Sequence, residues 1–197
     1  MVTWDERFRA GDYPTDPDPP AVLRSFVDAL PAGRALDVAT GPGRNALFLA
    51  RHGYEVDAID ASRPGLELAR ENATERGVDV NLIQADAETF PYPESTYAVV
   101  TVTYFRTLDR ITDLVAALRP GGVLVYQHHL RTSDPVDVGP RDDRHRFGSN
   151  ELLRAALGLT VLHYEERRTT RDGRSRAVAT LVARASRGAA QSYPARD

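Results

Sequence analysis

Three carboxylates and one glycine turn are the residues of this chain whose types and spacing could do chemistry. Gly41-Pro42-Gly43 follows a short apolar run, Ala35 to Ala39, that carries Asp37, and it opens onto Arg44-Asn45-Ala46 at the start of a helical pattern. Backbone N–H groups at such a turn lack intrahelical partners and lie at the positive end of the helix dipole. The turn therefore suits the polar end of a nucleotide-like ligand. Two further apolar runs, Tyr54 to Asp60 and Val80 to Ala85 with Asp86 behind it, also end in acids. Any one of these acids could be a solvated cap of the next helix; three at neighbouring strand ends are poorly explained that way.

The elements that must hold these residues in place follow from periodicity. Trp4 to Arg9 could make one or two helical turns, and Tyr13 to Pro20, with four prolines, can only be a lead-in loop. Val22, Leu23, Phe26, Val27 and Leu30 recur at helical spacing before the first strand, Ala35 to Ala39. A helix from Arg44 to His52 is closed by Gly53, and a second, capped by Ser62 with Pro64 in its first turn, is closed by Gly77. Tyr97 to Thr103 reads as a buried fourth strand. Leu108, Ile111, Val115 and Leu118 give a helical stripe, Pro120-Gly121-Gly122 a turn, and Val123 to His128 a fifth strand.

After the fifth strand the pattern changes. A polar connection from Arg131 to Ser149 should lie over the ligand edge, with Ser149 capping a helix that carries Leu152, Leu153, Ala156 and Leu157. Thr160 to Thr169 and Arg174 to Ala185 then flank Asp172-Gly173, a hairpin signal. The expected architecture is an α/β, Rossmann-like doubly wound sheet of seven strands, five parallel plus a C-terminal antiparallel hairpin. Residues 1–33 form a lead-in loop and helix packed on the core, residues 34–185 the main domain, and residues 186–197 a flexible tail. Ligands of such sheets bind beyond the carboxyl ends of the strands.

Composition excludes several chemistries. A chain of 197 residues, 42% hydrophobic, is long enough for one core and short for two. Its net charge of -3 and pI near 6.0 lack the basic excess of nucleic-acid binders. There is no cysteine, so thiolate chemistry and cysteine-based zinc sites are out. There is no lysine either, which removes a P-loop lysine and a Schiff base. The opening Met1 to Arg7 has no basic-then-apolar leader, and no run approaches membrane-spanning length, so a cytoplasmic protein without membrane contact is expected. Oligomeric state is left open. His128, His129 and His145 show no metal-ligand spacing, and no metal is expected.

The glycine turn also fits the dinucleotide fingerprint, with Asp60 near the distance of a ribose-binding acid. Three features favour S-adenosylmethionine over a nicotinamide cofactor. Asp37 stands within the first strand, where a carboxylate suits a ligand bearing an ammonium group and a sulfonium. Asp86 offers an acceptor for an adenine amino group. The terminal hairpin replaces the extra βα units of a dehydrogenase.

The order of motifs resembles the class I S-adenosylmethionine-dependent methyltransferases, and in detail the tellurite-resistance and thiopurine methyltransferase group. The resemblance rests on Trp4-Asp5-Glu6-Arg7-Phe8, on Leu36 to Asp60, on Gln84 to Phe90, on Arg119 to Tyr126 and on the closing hairpin. It implies that Asp37, Ala39, Gly41, Gly43 and Asn45 line the methionine end of the cofactor. Asp60, with Ala61 beside it, would accept from the ribose hydroxyls, and Asp86 and the Ala87 N–H would meet the adenine. Thr103 and Tyr104 would border the transferable methyl. The family's usual first glycine is Ala39 here, and because alanine resists positive φ, a β-like or displaced backbone is expected. Tyr104, Arg106 and His128 are the candidate catalytic residues. The expected reaction is methyl transfer to a small molecule, a soft anion or thiol-like acceptor. A nicotinamide oxidoreductase and a non-catalytic cofactor-binding module stay open as alternatives. Trp4 is expected to anchor the N-terminal segment to the core, a lid over the cofactor being the sharper reading.

Overall fold

The computed structural model describes residues 3–171, 173–186, 191, 193 and 194. Asp172 of the expected hairpin turn and most of the expected flexible tail lie outside the described residues. Five parallel strands, β1 (Arg34–Val38), β2 (Glu55–Asp60), β3 (Asn81–Gln84), β4 (Tyr97–Thr103) and β5 (Leu118–His129), are followed by an antiparallel hairpin, β6 (Thr160–Arg171) and β7 (Arg174–Arg184). The sheet order is β3-β2-β1-β4-β5-β7-β6. Parallel register aligns the ends of the first four strands, with Val38 beside Ile59, Asp60 beside Gln84, and Val38 beside Val102. The carboxylates thus share one edge.

The central strands β1, β2, β4, β5 and β7 alternate their side chains between two apolar layers, the behaviour of a sheet buried on both faces. On one face Ala35, Val99, Val125 and Val182 meet α2 (Ala21–Phe26) and α3 (Arg44–Arg51) through Leu23, Phe26, Ala46 and Leu49. On the other, Leu36, Val102, Leu124 and Leu181 meet α5 (Ile111–Ala117) and α6 (Glu151–Ala155) through Leu114 and Leu152. α4 (Arg63–Arg76) starts as expected: the Ser62 hydroxyl accepts from Gly65 N–H, Pro64 sits in the first turn, and Gly77 closes the helix at φ 61°. α1 (Trp4–Ala10) rests on α4. It is sealed by a reciprocal pair in which the Thr3 hydroxyl accepts from Glu6 N–H while the Glu6 carboxylate accepts from Thr3 N–H.

Three local expectations are corrected. Leu118 is already extended, and Pro120-Gly121-Gly122 does not turn the chain but forms an irregularity inside β5. Pairing jumps from Tyr97↔Leu118 to Val99↔Val123. Glycine is required there because a Cβ on Gly122 would come within 2.8 Å of the Tyr97 carbonyl. Ser149 does not cap α6; its hydroxyl is committed to Glu166, and Asn150, left-handed at φ 58°, stands at the cap position. The connection from Arg131 to Ser149 is pinned at its end, where fully buried Phe147 packs on Tyr126 and bridges Leu130.

Candidate active site

A cavity of about 310 Å³ opens at the carboxyl edge of β1, β2, β3 and β4, within the usual range for small-molecule sites. Of the expected site residues, Ala39, Gly41, Asp60, Ala61, Asp86, Ala87, Thr103 and Tyr104 line it. Asp37, Gly43, Asn45, Arg106 and His128 are not on its wall.

Asp37 is fully buried beneath the turn. Its oxygens accept from the Thr40 hydroxyl at 2.6 Å, the Thr101 hydroxyl at 2.7 Å and Asn45 Nδ2 at 3.0 Å. Burial pushes its pKa up while these bonds oppose the shift. This carboxylate ties β1, the turn and the start of α3 together, and Asn45 extends the tie to the Thr103 hydroxyl at 3.1 Å.

The glycine turn is less open than its sequence suggests. Gly41 N–H is spent on Asp60 Oδ2 at 2.7 Å, Pro42 has no N–H, and Gly43 N–H donates to the Thr40 carbonyl at 3.0 Å. Gly41, Pro42 and Gly43 therefore leave no amide for a diphosphate, and Asp5, Asp60 and Asp86 place carboxylates along the same cavity. The Asp60 and Asp86 carboxylates on this wall suit the hydroxyl and amino donors of a ligand, and Arg44 adds one cation to the lining.

Asp60 anchors the rim. Its second oxygen accepts from Ser62 N–H at 2.7 Å, so both oxygens serve backbone amides while keeping lone pairs for a ligand. Burial pushes its pKa up against those two bonds. Asp86 is exposed and accepts from Glu88 N–H at 2.9 Å, which holds the turn that presents buried Ala87.

Ala39 corrects the expectation of a β-like backbone, since its φ is 55°. The next residue donates its N–H to the Ile59 carbonyl of β2, which holds the chain in the left-handed turn despite the side chain. A non-glycine residue there is disfavoured by about 1 to 2 kcal/mol. Ala39→Gly is accordingly expected to raise unfolding free energy by about 0.5 to 1 kcal/mol, the relief of strain exceeding the extra entropy of glycine in the unfolded chain. Urea titration of both proteins measures it, and a destabilised glycine variant would contradict the strain assignment.

Tyr104 leaves β4 with φ 58° and meets the cavity. Its ring stacks on His129 at a centroid separation of 4.6 Å, and the Arg44 guanidinium lies 5.4 Å from its centroid. His128 points to the opposite face, its Nε2–H donating to the His145 carbonyl at 2.8 Å and its ring packing on Phe147. Strand alternation had allowed one of the two histidines on the site face. It is His129, and His128 is not near the cavity. Arg106 is likewise turned away: its guanidinium pairs with Glu151 at 2.5 Å and covers the Phe147 ring. No group of histidines and acids capable of holding a metal occurs among the described residues.

Sequence reasoning did not find Thr40, Tyr13, Ser62 and Phe105 on the wall. Phe8, not Trp4, is the N-terminal anchor: it is buried against Gly41 and Gly65, where a Cβ on Gly65 would lie 2.9 Å from its ring. Trp4 stays half exposed at the cavity mouth, tilted against Phe8 and edge-to-face with Tyr13, and Asp5 accepts from the Ser62 hydroxyl at 2.6 Å. The signal was the opening Trp4-Asp5-Glu6-Arg7-Phe8 itself, whose two aromatic residues sit one helical turn apart.

Residues 35–122 match the methyltransferase domain family. The chain is similar to the demethylmenaquinone methyltransferase of Thermus thermophilus, 38% identical over 47% of this chain and 45% of that protein. It is also similar to the ubiquinone/menaquinone biosynthesis C-methyltransferase UbiE of Azotobacter vinelandii, 32% identical over 58% of this chain and 49% of the relative. The matches thus span about half the length of these curated relatives. In fold it is similar to TehB from Haemophilus influenzae, with a TM-score of 0.74 and 19% identity over 91% of this chain and 66% of that one. The carboxylates along the cavity and the match from β1 to the start of β5 agree: the chain is similar to the class I S-adenosylmethionine-dependent methyltransferases, and in fold to the tellurite-resistance group, a likeness that implies S-adenosylmethionine as the cofactor.

Proposed function

We propose that the protein transfers a methyl group from S-adenosylmethionine to a small-molecule acceptor held beside Thr103 and Tyr104. The observation that carries this reading is the cavity wall itself. The turn has no amide left for a diphosphate, yet the neighbouring strand ends present Asp60 and Asp86 to hydroxyl and amino donors. In this assignment Asp60 accepts from the ribose hydroxyls, with Ala61 alongside. Asp86 and the Ala87 N–H take the adenine, and Ala39 and Gly41 border the methionine end. Asp37, Gly43 and Asn45 act from behind the wall, holding the turn and Thr103 in register.

The bound sulfonium supplies an activated methyl carbon, so what this chain contributes is alignment of an acceptor and exclusion of water. Thr103 is held by Asn45, and Tyr104 is clamped between its neighbours, which makes both rigid enough to align a reacting partner. Trp4, Phe8 and Tyr13 give the mouth an aromatic cover. The relatives named above carry quinone-pathway names. The family match ends at residue 122, whereas Gln127, His129 and β7 lie beyond it, so the acceptor is a matter for this chain's own residues. A small anionic acceptor is the proposed class, the expected soft anion or thiol-like compound being one form of it.

No described helix is long and apolar enough to cross a membrane. Binding of S-adenosylhomocysteine with no binding of NAD, measured by calorimetry, is the expected result, and turnover on an acceptor panel separates an enzyme from a binding module.

A further inference from the structure

Behind Tyr104 the protein buries polar groups that it does not pair. The Tyr104 oxygen accepts from Gln127 Nε2 at 3.0 Å and from Arg176 Nη1 at 3.4 Å, and its own proton meets no acceptor among the described residues. Arg176 Nε is buried without a partner, and no carboxylate forms an ion pair with this half-buried guanidinium among the described residues. His129, only 8% exposed, likewise has an unpartnered Nδ1. An uncompensated cation and orphaned nitrogens in one place are costly unless a ligand completes them.

The arrangement is built. Gln127, His129, Arg176 and Thr180 share one face of the hairpin side of the sheet, because His129 pairs with Val178 and Gln127 with Thr180. The Thr180 hydroxyl donates to Gln127 Oε1 at 3.4 Å, which turns the Gln127 amide nitrogen toward Tyr104. Gly139, at φ 135°, lets the connection after β5 approach the His129 ring; a Cβ there would lie 3.1 Å from Nδ1. Arg146 is held at the same place, its Nε donating to the Pro140 carbonyl at 2.8 Å.

We infer that Tyr104, His129 and Arg176 form the acceptor subsite, and that it takes a small acceptor whose reacting group is an oxygen-stabilised anion such as an enolate, phenolate or carboxylate. This rests on the reading that the adjoining cavity holds S-adenosylmethionine. Arg176 supplies the counter-charge and Tyr104 O–H a donor. Burial holds the His129 pKa down at about 3, so the ring is neutral and a poor base, which suits a nucleophile that arrives already deprotonated. In the transfer, the acceptor's electron pair forms a bond to the methyl carbon. The carbon–sulfur bond breaks, with its pair remaining on sulfur, and both charges are cancelled without movement of a proton. Arg176 then faces a neutral product, which favours release.

The test is calorimetry on the protein saturated with S-adenosylhomocysteine. Benzoate, salicylate and 4-nitrophenolate are titrated alongside their neutral counterparts, benzamide, salicylamide and 4-nitroanisole. The anions are expected to bind about tenfold tighter than their counterparts. Arg176→Gln should abolish that preference and Arg176→Lys retain part of it, with affinity for S-adenosylhomocysteine unchanged in both. Equal binding of anions and neutral counterparts, no binding by any probe, or an undiminished preference in Arg176→Gln would overturn the acceptor assignment while leaving the cofactor reading intact. Failure of the unmodified protein to bind S-adenosylhomocysteine would overturn both.

Discussion

Asp60→Ala is expected to weaken S-adenosylhomocysteine binding about a hundredfold, equivalent to about 3 kcal/mol. Two effects combine. The ribose loses the acceptor proposed for it, and Gly41 N–H and Ser62 N–H lose theirs, so the turn and the start of α4 no longer share a fixed point. The orphaned amides also lower folding stability, each by about 1 to 3 kcal/mol where water cannot reach it. The titration is therefore run at a temperature at which circular dichroism shows the variant folded. Unchanged affinity in a folded variant would mean that the ribose does not lie against Asp60.

Acid is expected to be the second large perturbation. His128 and His129 are both buried, and burial is the main cause that lowers their pKa values to about 4 and about 3. In the unfolded chain each titrates near 6.5. Below that value the unfolded state takes up protons that the folded state refuses. The contribution is therefore intact above about pH 6.5 and is lost as pH falls toward the folded values. At about pH 5 the loss is about 2 kcal/mol per histidine. Asp37 and Asp60, whose pKa values are raised, work in the opposite sense, so the comparison is made between proteins. Urea unfolding near neutral pH and at about pH 5 should show a steep loss that the double substitution His128→Gln, His129→Gln largely removes. Parallel pH profiles for the two proteins would contradict the account.

Much of this was legible in the residues. Asp60, Asp86 and the turn are placed by strand ends and glycine, both local signals, and Ser62 is a cap recognisable from its own neighbours. The hairpin likewise announces itself by pattern. What escaped depends on contacts between segments far apart in sequence. Alternation shows that His128 and His129 face opposite ways, but only pairing of His129 with Val178 decides which way. Arg106 reads as a catalytic candidate until Glu151, on a helix 45 positions away, takes its charge. Ala39 was expected to avoid positive φ because of its side chain. The hydrogen bond from Thr40 to β2 imposes the conformation regardless. Asp37 shows the same limit: a carboxylate in a strand invites a cationic ligand, yet three polar side chains absorb it first.

This carboxylate-lined cavity is proposed to take a sulfonium nucleotide and no dinucleotide. The direct measurement is parallel calorimetric titration of the protein with S-adenosylhomocysteine and with NAD. Saturable binding of S-adenosylhomocysteine, lost in Asp60→Ala, with no heat from NAD, is the result predicted. Saturable NAD binding without any response to S-adenosylhomocysteine would contradict it.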